Sequence, residues 1–326
     1  MKSTTPIAYA AYYDNDIRME SSSGGIFFVF ARHIILNYGV VYGVALTDDC
    51  NGAEFRRIVD LEDISILFGS KYIQAKIGDT YNLVKRDLDD GLSVLFTGTV
   101  CQVNGLRSFL QKDYDNLFCV DVICHGVPSP LLWRRYVEKK QVEYNCKFKK
   151  VSFRCKDIDW ENFGMKFFSE DYDDFFVPLD EDLYMQLFLK NYSLRPSCYE
   201  CVVKKNKLSD LTIADFWGID SLLPHMNDGK GVSLVLIRNS KGNKLFDEIK
   251  EIVENRQVLY EDAISANPSE YKSVKRPQKR DVFFRKFCMY NTLGDKKKLN
   301  QIYEKYGRKS KARLLIKRIL KKIKLI

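Results

Sequence analysis

Two cysteines, Cys198 and Cys201, stand in a C-x2-C arrangement inside RPSCYECVVKK. That spacing lets two thiolates reach one metal centre from a tight turn while nearby backbone N–H groups point at the sulfurs. The chain holds nine cysteines. A zinc ribbon needs a second such pair at short spacing, which is absent. Iron–sulfur clusters instead take four thiolates and collect them from distant segments. Cys101 and Cys124 are the best candidates for the other two, since each follows a short apolar run that reads as a strand. Free cysteine also packs as a small hydrophobe, so plain burial of all four stands beside the metal reading. Cys119 lies inside an apolar run and reads as core. Cys50, Cys146 and Cys288 have no cysteine or histidine partner close in sequence, and Cys155 fits either assignment.

The elements that must position these thiols can be read from the pattern. SSSGG (residues 21–25) precedes IFFVFARHIIL, whose spacing predicts a buried helix, and VVYGVAL then reads as a strand. Residues 60–90 suggest a helix, a loop around FGSKY and a second helix ending near Gly91. SVLF (93–96) and residues 117–123 read as strands, each ending in a loop with a cysteine, and strand carboxyl ends are where open α/β sheets place ligands. From residue 147 the pattern turns strand-like (KKVSFRCK, NFGMKFF, DFFVPL), then helical over 181–191; VSLVLI adds a strand and 241–254 a helix. The fold class expected is α/β to α+β: a mixed-sheet catalytic body over 1–295, with a possible division near 130–150, and a basic amphipathic tail over 296–326.

With 45% hydrophobic and 13% aromatic residues the chain is globular rather than disordered. Its net charge of +9 is uneven: residues 296–326 hold 13 Lys or Arg against one acid, Glu304, which leaves 1–295 at −3. KARLLIKRILKKIKLI (311–326) places Ala312, Leu315, Ile316, Ile319, Ile323 and Ile326 at helical steps of three and four, with basic residues mainly elsewhere. Such a helix suits peripheral contact with an anionic membrane surface, or docking to a partner protein. No recognition motif accompanies the charge, so nucleic acid is not an expected partner. The opening MKSTTPIAYA lacks a long apolar core before a cleavage-like site, and the most apolar stretch, 24–46, is interrupted by Arg32, His33 and Asn37. A cytoplasmic protein with reduced thiols is therefore the expectation.

Several separated segments resemble the coenzyme F420 hydrogenase/dehydrogenase beta-subunit family: SSSGGIF, FGSKYIQAKIGDTY, LFTGTVCQVNGLRSFL, DVICHGVPSPLLW, VSFRCK, SCYECVVKKNKLSDLTIADFWGI and GVSLVLI, over roughly residues 8–260. The resemblance implies an oxidoreductase in which a flavin, FAD or FMN, lies beside a [4Fe-4S] cluster held by Cys101, Cys124, Cys198 and Cys201. Ser23, Gly24 and Gly25 would then form a loop that lets a phosphate or ring approach a helix amino terminus, unless they form only a turn with a serine cap. Thr97, Gly98, Thr99 and Gln102 offer hydroxyl, backbone and amide hydrogen bonds beside the cluster loop. Lys71, Tyr72 and Gln74 are candidates for pairing with phosphate or stacking on a ring. Lys71 and His125 are the candidate catalytic groups, His125 because its pKa lies near neutrality. Arg154 and Lys156 are candidates for an anion, and Asp215, with Asp210 upstream, for orienting a lysine or cofactor hydroxyl; Trp217 would wall the site.

Many relatives of the family begin with a ferredoxin-like module bearing C-x2-C-x2-C-x3-C-P runs, and no such run occurs here. The expected electron donor is accordingly external, a ferredoxin or a reduced nicotinamide or deazaflavin. Val100 stands where the family usually has proline before the cluster cysteine, which loosens the loop without removing a ligand. Similar proteins encoded beside bacterial polysaccharide-assembly enzymes suggest a sugar-linked or pyruvyl-type substrate and a role in polysaccharide biosynthesis.

Overall fold

The computed structural model describes residues 5–308. In chain order the strands are β1 (Ile7–Tyr12), β2 (Val40–Leu46), β3 (Ala53–Ile58), β4 (Ala75–Lys76), β5 (Val94–Thr99) and β6 (Leu117–Val122). They continue as β7 (Phe148–Cys155), β8 (Gly164–Ser169), β9 (Phe175–Pro178), β10 (Leu211–Asp215), β11 (Ser233–Ile237) and β12 (Glu254–Val258). Nine form one sheet in the order β12-β1-β11-β10-β6-β5-β2-β3-β4. Its centre, β10-β6-β5-β2, is parallel. β11 runs antiparallel to both β10 and β1, so β1 points the same way as the parallel centre.

The central strands are buried on both faces, as parallel strands must be. Val41 and Leu95 meet helix Ile26–Leu36 on one face, through Ile26, Val29 and Phe30. Val40, Tyr42, Val94 and Phe96 meet Val84, Leu88, Val103 and Leu106 on the other, from helices Thr80–Asp89 and Val100–Leu110. The first helix expected within 60–90 is a single 3-10 turn, Ile64–Leu67, preceded by β3. The helix expected over 241–254 stops at Asp247, and β12 follows.

β7, β8 and β9 form a separate antiparallel meander. It packs with helices Pro130–Tyr144, Leu183–Leu189, Arg280–Thr292 and Lys296–Gly307 around an aromatic core of Trp133, Tyr136, Phe153, Phe167 and Tyr184. Trp133 donates to Cys50 O at 2.8 Å and Tyr303 to Leu132 O at 2.7 Å. Lys296–Gly307, which the charge count assigned to the tail, buries Leu299, Ile302, Tyr303 and Tyr306, so the packed body runs past residue 295. The amphipathic stretch 311–326 lies outside the described residues. Among the described residues no helix is long and apolar enough to cross a membrane.

Backbone contacts clamp the serine–glycine loop between β1 and β11. A Cβ on Gly24 would stand 2.4 Å from Ala11 O and 2.7 Å from Ser233 N, so only glycine fits there. Lys156, 4% exposed, crosses from the end of β7 and donates to three carbonyls: Arg18 O at 2.6 Å, Ser23 O at 3.0 Å and Lys230 O at 2.6 Å. Burial, helped by the Arg154 charge, pushes its ammonium down to about 7.

Gly24→Ala should lower stability by about 1–3 kcal/mol in thermal or urea unfolding, as overpacking does. Gly52→Ala, whose methyl group would touch only Thr47 at 3.4 Å, should stay within about 0.5 kcal/mol of the native chain. Lys156→Met should destabilise by about 2 kcal/mol or more, because three carbonyls lose their donor. The unfolded chain keeps the Lys156 proton up to about 10.5 and the folded chain only to about 7, so stability from this residue rises with pH between those values. The gap between native chain and variant should thus widen from pH ~7 to pH ~10. A gap that stays constant would show that the three carbonyls hold the lysine charged.

Candidate functional site

The carboxyl ends of β1, β5, β6 and β10 open on one edge of the large sheet, where open α/β sheets bind ligands. The loops leaving that edge hold SSSGG after β1, Thr99–Gln102 after β5, Cys124 and His125 after β6, and Phe216 and Trp217 after β10. Residues 69–74 arrive at the same edge, because β4 runs opposite to β2.

All four candidate thiols gather here. Cys101 occupies the first turn of helix Val100–Leu110, behind a capping box in which Gln102 Oε1 accepts from Thr99 N at 2.8 Å. Thr99 Oγ1 lies 3.1 Å from Cys101 Sγ. Cys124 follows β6, Cys198 lies in the 3-10 turn Pro196–Glu200, and Cys201 is the extended residue between that turn and the next, Val202–Lys205. Their charges act on one another: Cys124 feels Cys101 and Cys198, and Cys198 feels Cys101 and Cys201. Burial pushes the Cys124 thiol up to about 12 and raises that of Cys198. Backbone amides oppose this, Gly126 toward Cys124 and Val127 N donating to Cys198 Sγ at 3.4 Å. Gly126, at φ +152°, lets the two loops touch, since a Cβ there would stand 2.7 Å from Leu194 Cδ1 and 3.4 Å from Cys198 Cβ.

Lys204 supports the same group from behind, donating to Cys124 O at 2.6 Å and to Ser269 O. Burial lowers its pKa, and the charges of Cys124, Cys201, Glu270 and Cys198 work the other way. Cys201 N donates to Ser273 Oγ at 2.9 Å. Nothing in the spacing of the sequence singles out Lys204 or Ser273. Among the described residues no three histidine, cysteine or carboxylate side chains stand close enough to grip a single metal ion. Four thiols from three segments, linked through the couplings of Cys124 and Cys198, equal in number the donors that a polynuclear iron–sulfur core takes. The remaining cysteines have other neighbours. Cys50 faces Phe148 O at 3.5 Å, Cys119 is core, Cys155 donates to Asp157 at 2.8 Å, and Cys288 is exposed.

Beside the thiols lies a second polar cluster, centred on Arg154. Its Nη1 donates to Asp215 Oδ2 at 2.9 Å and its Nη2 reaches Ser22 O at 3.4 Å. Burial opposes the guanidinium most strongly, and the Asp215 and Tyr72 side chains together more than offset it, so its pKa is raised. The guanidinium lies 3.9 Å from the Phe163 ring centroid and 5.2 Å from that of Trp217, and Trp217 stacks on Trp160 at 5.1 Å. Arg154 Nε and Trp160 Nε1 are buried without a protein partner, two donors suited to an acceptor-rich ligand. Three rings link the clusters: His125 meets Phe188 edge-on at 5.0 Å, and Phe188 stacks on Tyr72 at 4.7 Å.

The other candidates have duties within the protein. Ser23 Oγ donates to Val232 O at 2.6 Å, Gly24 N donates to Ser233 Oγ at 3.0 Å, and Gly25 (φ +80°) starts helix Ile26–Leu36 without a side-chain cap. Thr97 Oγ1 donates to Tyr42 O at 3.1 Å, and Gly98 lies against Gln102. Gln74 is half-buried before β4. Lys71 turns back on its own loop, donating to Phe68 O at 2.8 Å and Ile66 O at 3.2 Å, and burial pushes it down to about 7. His125 Nε2 contacts Asn191 Oδ1 at 2.7 Å, and burial lowers its pKa. Asp210 stands at the opposite end of β10 from the site, paired with Arg107 at 2.8 Å and accepting from Cys119 N at 2.7 Å, so the orienting role expected of it does not hold.

Residues 91–261 match the family model that describes the C terminus of the coenzyme F420 hydrogenase/dehydrogenase beta subunit. A chain of the F420-reducing [NiFe] hydrogenase complex from Methanosarcina barkeri has a similar fold, with a TM-score of 0.53 at 17% identity, covering 88% of this chain and 94% of that one. No curated protein matches. The matched residues span two of the cysteine loops, the C-x2-C turn, Arg154 and Asp215, and the protein belongs to the coenzyme F420 hydrogenase/dehydrogenase beta-subunit family.

Proposed function

We propose that this protein is an electron-transferring oxidoreductase that holds one [4Fe-4S] cluster on Cys101, Cys124, Cys198 and Cys201, with a flavin, FAD or FMN, beside it at the Arg154 cluster. The observation that carries this reading is the meeting of four thiols from three chain segments at one sheet edge. The two unpartnered buried donors, Arg154 Nε and Trp160 Nε1, support an acceptor-rich group next to them. When bound, the flavin would supply two-electron exchange with a substrate and the cluster single-electron exchange.

The chain's own groups are arranged for that task. Gly126 and Val127 offer backbone N–H groups to the sulfurs, which favours thiolate over thiol. Lys204 sets a positive charge behind three of the four. Arg154, fixed by Asp215, holds a cation where reduction adds negative charge. His125, kept neutral by burial, can take or give a proton through a ring nitrogen. The external partner in this reading is a ferredoxin or a reduced nicotinamide or deazaflavin, the last in keeping with the coenzyme in the family's description.

Anaerobically purified protein should be brown, contain about four irons per chain, lose visible absorption with dithionite and release flavin on acid treatment. Cys198→Ala and Cys201→Ala should lose the iron, while Cys288→Ala and Cys50→Ala keep it. Colourless protein with one zinc per chain would overturn the proposal, and so would the opposite ranking of the variants.

A further inference from the structure

The turn carrying Cys198 and Cys201 faces a cleft of about 610 Å³, lined in part by Ser197, Glu200, Ser273, Lys275 and Arg276. Val202, directly after Cys201, is 81% exposed, an uncommon position for an aliphatic side chain. Cys101 is exposed as well. Cations gather around this apolar tip. Arg195 is exposed and its charge acts on the Cys198 thiol. Lys205 neighbours Lys204. Lys272 and Lys275 flank Ser273, whose hydroxyl accepts from Cys201 N. Among the described residues none of these four has a carboxylate partner, whereas Arg276 is paired with Asp281 at 2.8 Å. Residues 1–295 have a net charge of −3, so the cations here are a local excess.

From this surface, and resting on the cluster reading above, we propose that the C-x2-C face is the docking site of a small acidic electron-carrier protein of the ferredoxin type. Charge complementarity identifies the occupant. An anionic carrier is drawn in by Arg195, Lys205, Lys272 and Lys275, and Val202 supplies the dry contact at the centre. Cys201 directly precedes Val202, and Cys198 lies in the preceding turn. One electron leaves the carrier's reduced cluster and is taken up by this protein's cluster, with no bond formed and no proton moved. The attraction acts over about a Debye length, so association must weaken with salt.

The test uses the anaerobic full-length holoprotein, a small acidic bacterial 2[4Fe-4S] ferredoxin and the triple variant Lys205→Glu/Lys272→Glu/Lys275→Glu. Stopped-flow reduction by the reduced ferredoxin, and calorimetric binding of the oxidised form, should both weaken at least about tenfold in the variant at low salt. Reduction by dithionite and iron content should be unchanged. The milder Lys→Gln triple should fall between, and a control reversed elsewhere, Arg86→Glu/Lys112→Glu/Lys244→Glu, should match the native protein. Equal ferredoxin rates in native and charge-reversed protein overturn the proposal. So does native protein that ignores ferredoxin but binds phosphatidylglycerol vesicles through the same three lysines. Native protein that dithionite does not bleach refutes the cluster reading itself, and the docking proposal falls with it.

Discussion

The ion pair between Arg154 and Asp215 is the constraint on which the site depends. Arg154 belongs to β7 of the small sheet and Asp215 ends β10 of the large one, with side chains only 2% and 15% exposed. Removing one partner from such a pair leaves an uncompensated buried charge, at a cost of about 3–5 kcal/mol. The same guanidinium reaches Ser22 O, so the serine–glycine loop and two sheets are registered against one planar cation. Lysine cannot substitute, because a point charge lacks the fork that reaches several acceptors at once while lying flat on Phe163.

Around that pair the fold uses one device twice. Lys156 ties together the carbonyls of Arg18, Ser23 and Lys230, and Lys204 ties those of Cys124 and Ser269. A buried ammonium has three donors and a long stem, so it bridges loops that share no secondary structure. Burial opposes the charge in both cases, and the hydrogen bonds to carbonyl dipoles offset part of that penalty. The loops that present the cysteines and the serine–glycine turn are thereby anchored by the chain's own groups.

The sequence shows β2, β5 and β6, the helix after SSSGG and the cysteine quartet because each leaves a local signature: continuous apolar runs, a helical period, or a rare residue type. β1, IAYAAY, leaves none, since a strand buried on both faces with alanines shows no alternation. β10 is hidden because LTIAD is five residues long and ends in the charge that serves the site. Lys156 and Lys204 are illegible for another reason. Their partners lie up to 138 residues away, and a lysine in sequence reads as a solvated one until the backbone that buries it is known. The serine–glycine loop is legible only in part: Gly24 answers to Ala11 O and Ser233, contacts that no spacing rule contains.

The two halves of the edge are held apart by packing rather than by a flexible connection. His125 adjoins Cys124, Phe188 meets His125 edge-on, Tyr72 stacks on Phe188, and the Arg154 charge acts on Tyr72. Phe188 and Tyr72 join the aromatic core built on the small sheet, and Tyr72 O accepts from Tyr184 at 2.7 Å. Close-packed interiors resist small displacements, so these rings fix the distance between thiols and guanidinium as firmly as a strand would. Exchange of electrons between two groups requires that their separation be set by the protein and not by chance encounter. The aromatic spacer rooted in the second sheet sets the separation between the thiols and the guanidinium in this chain.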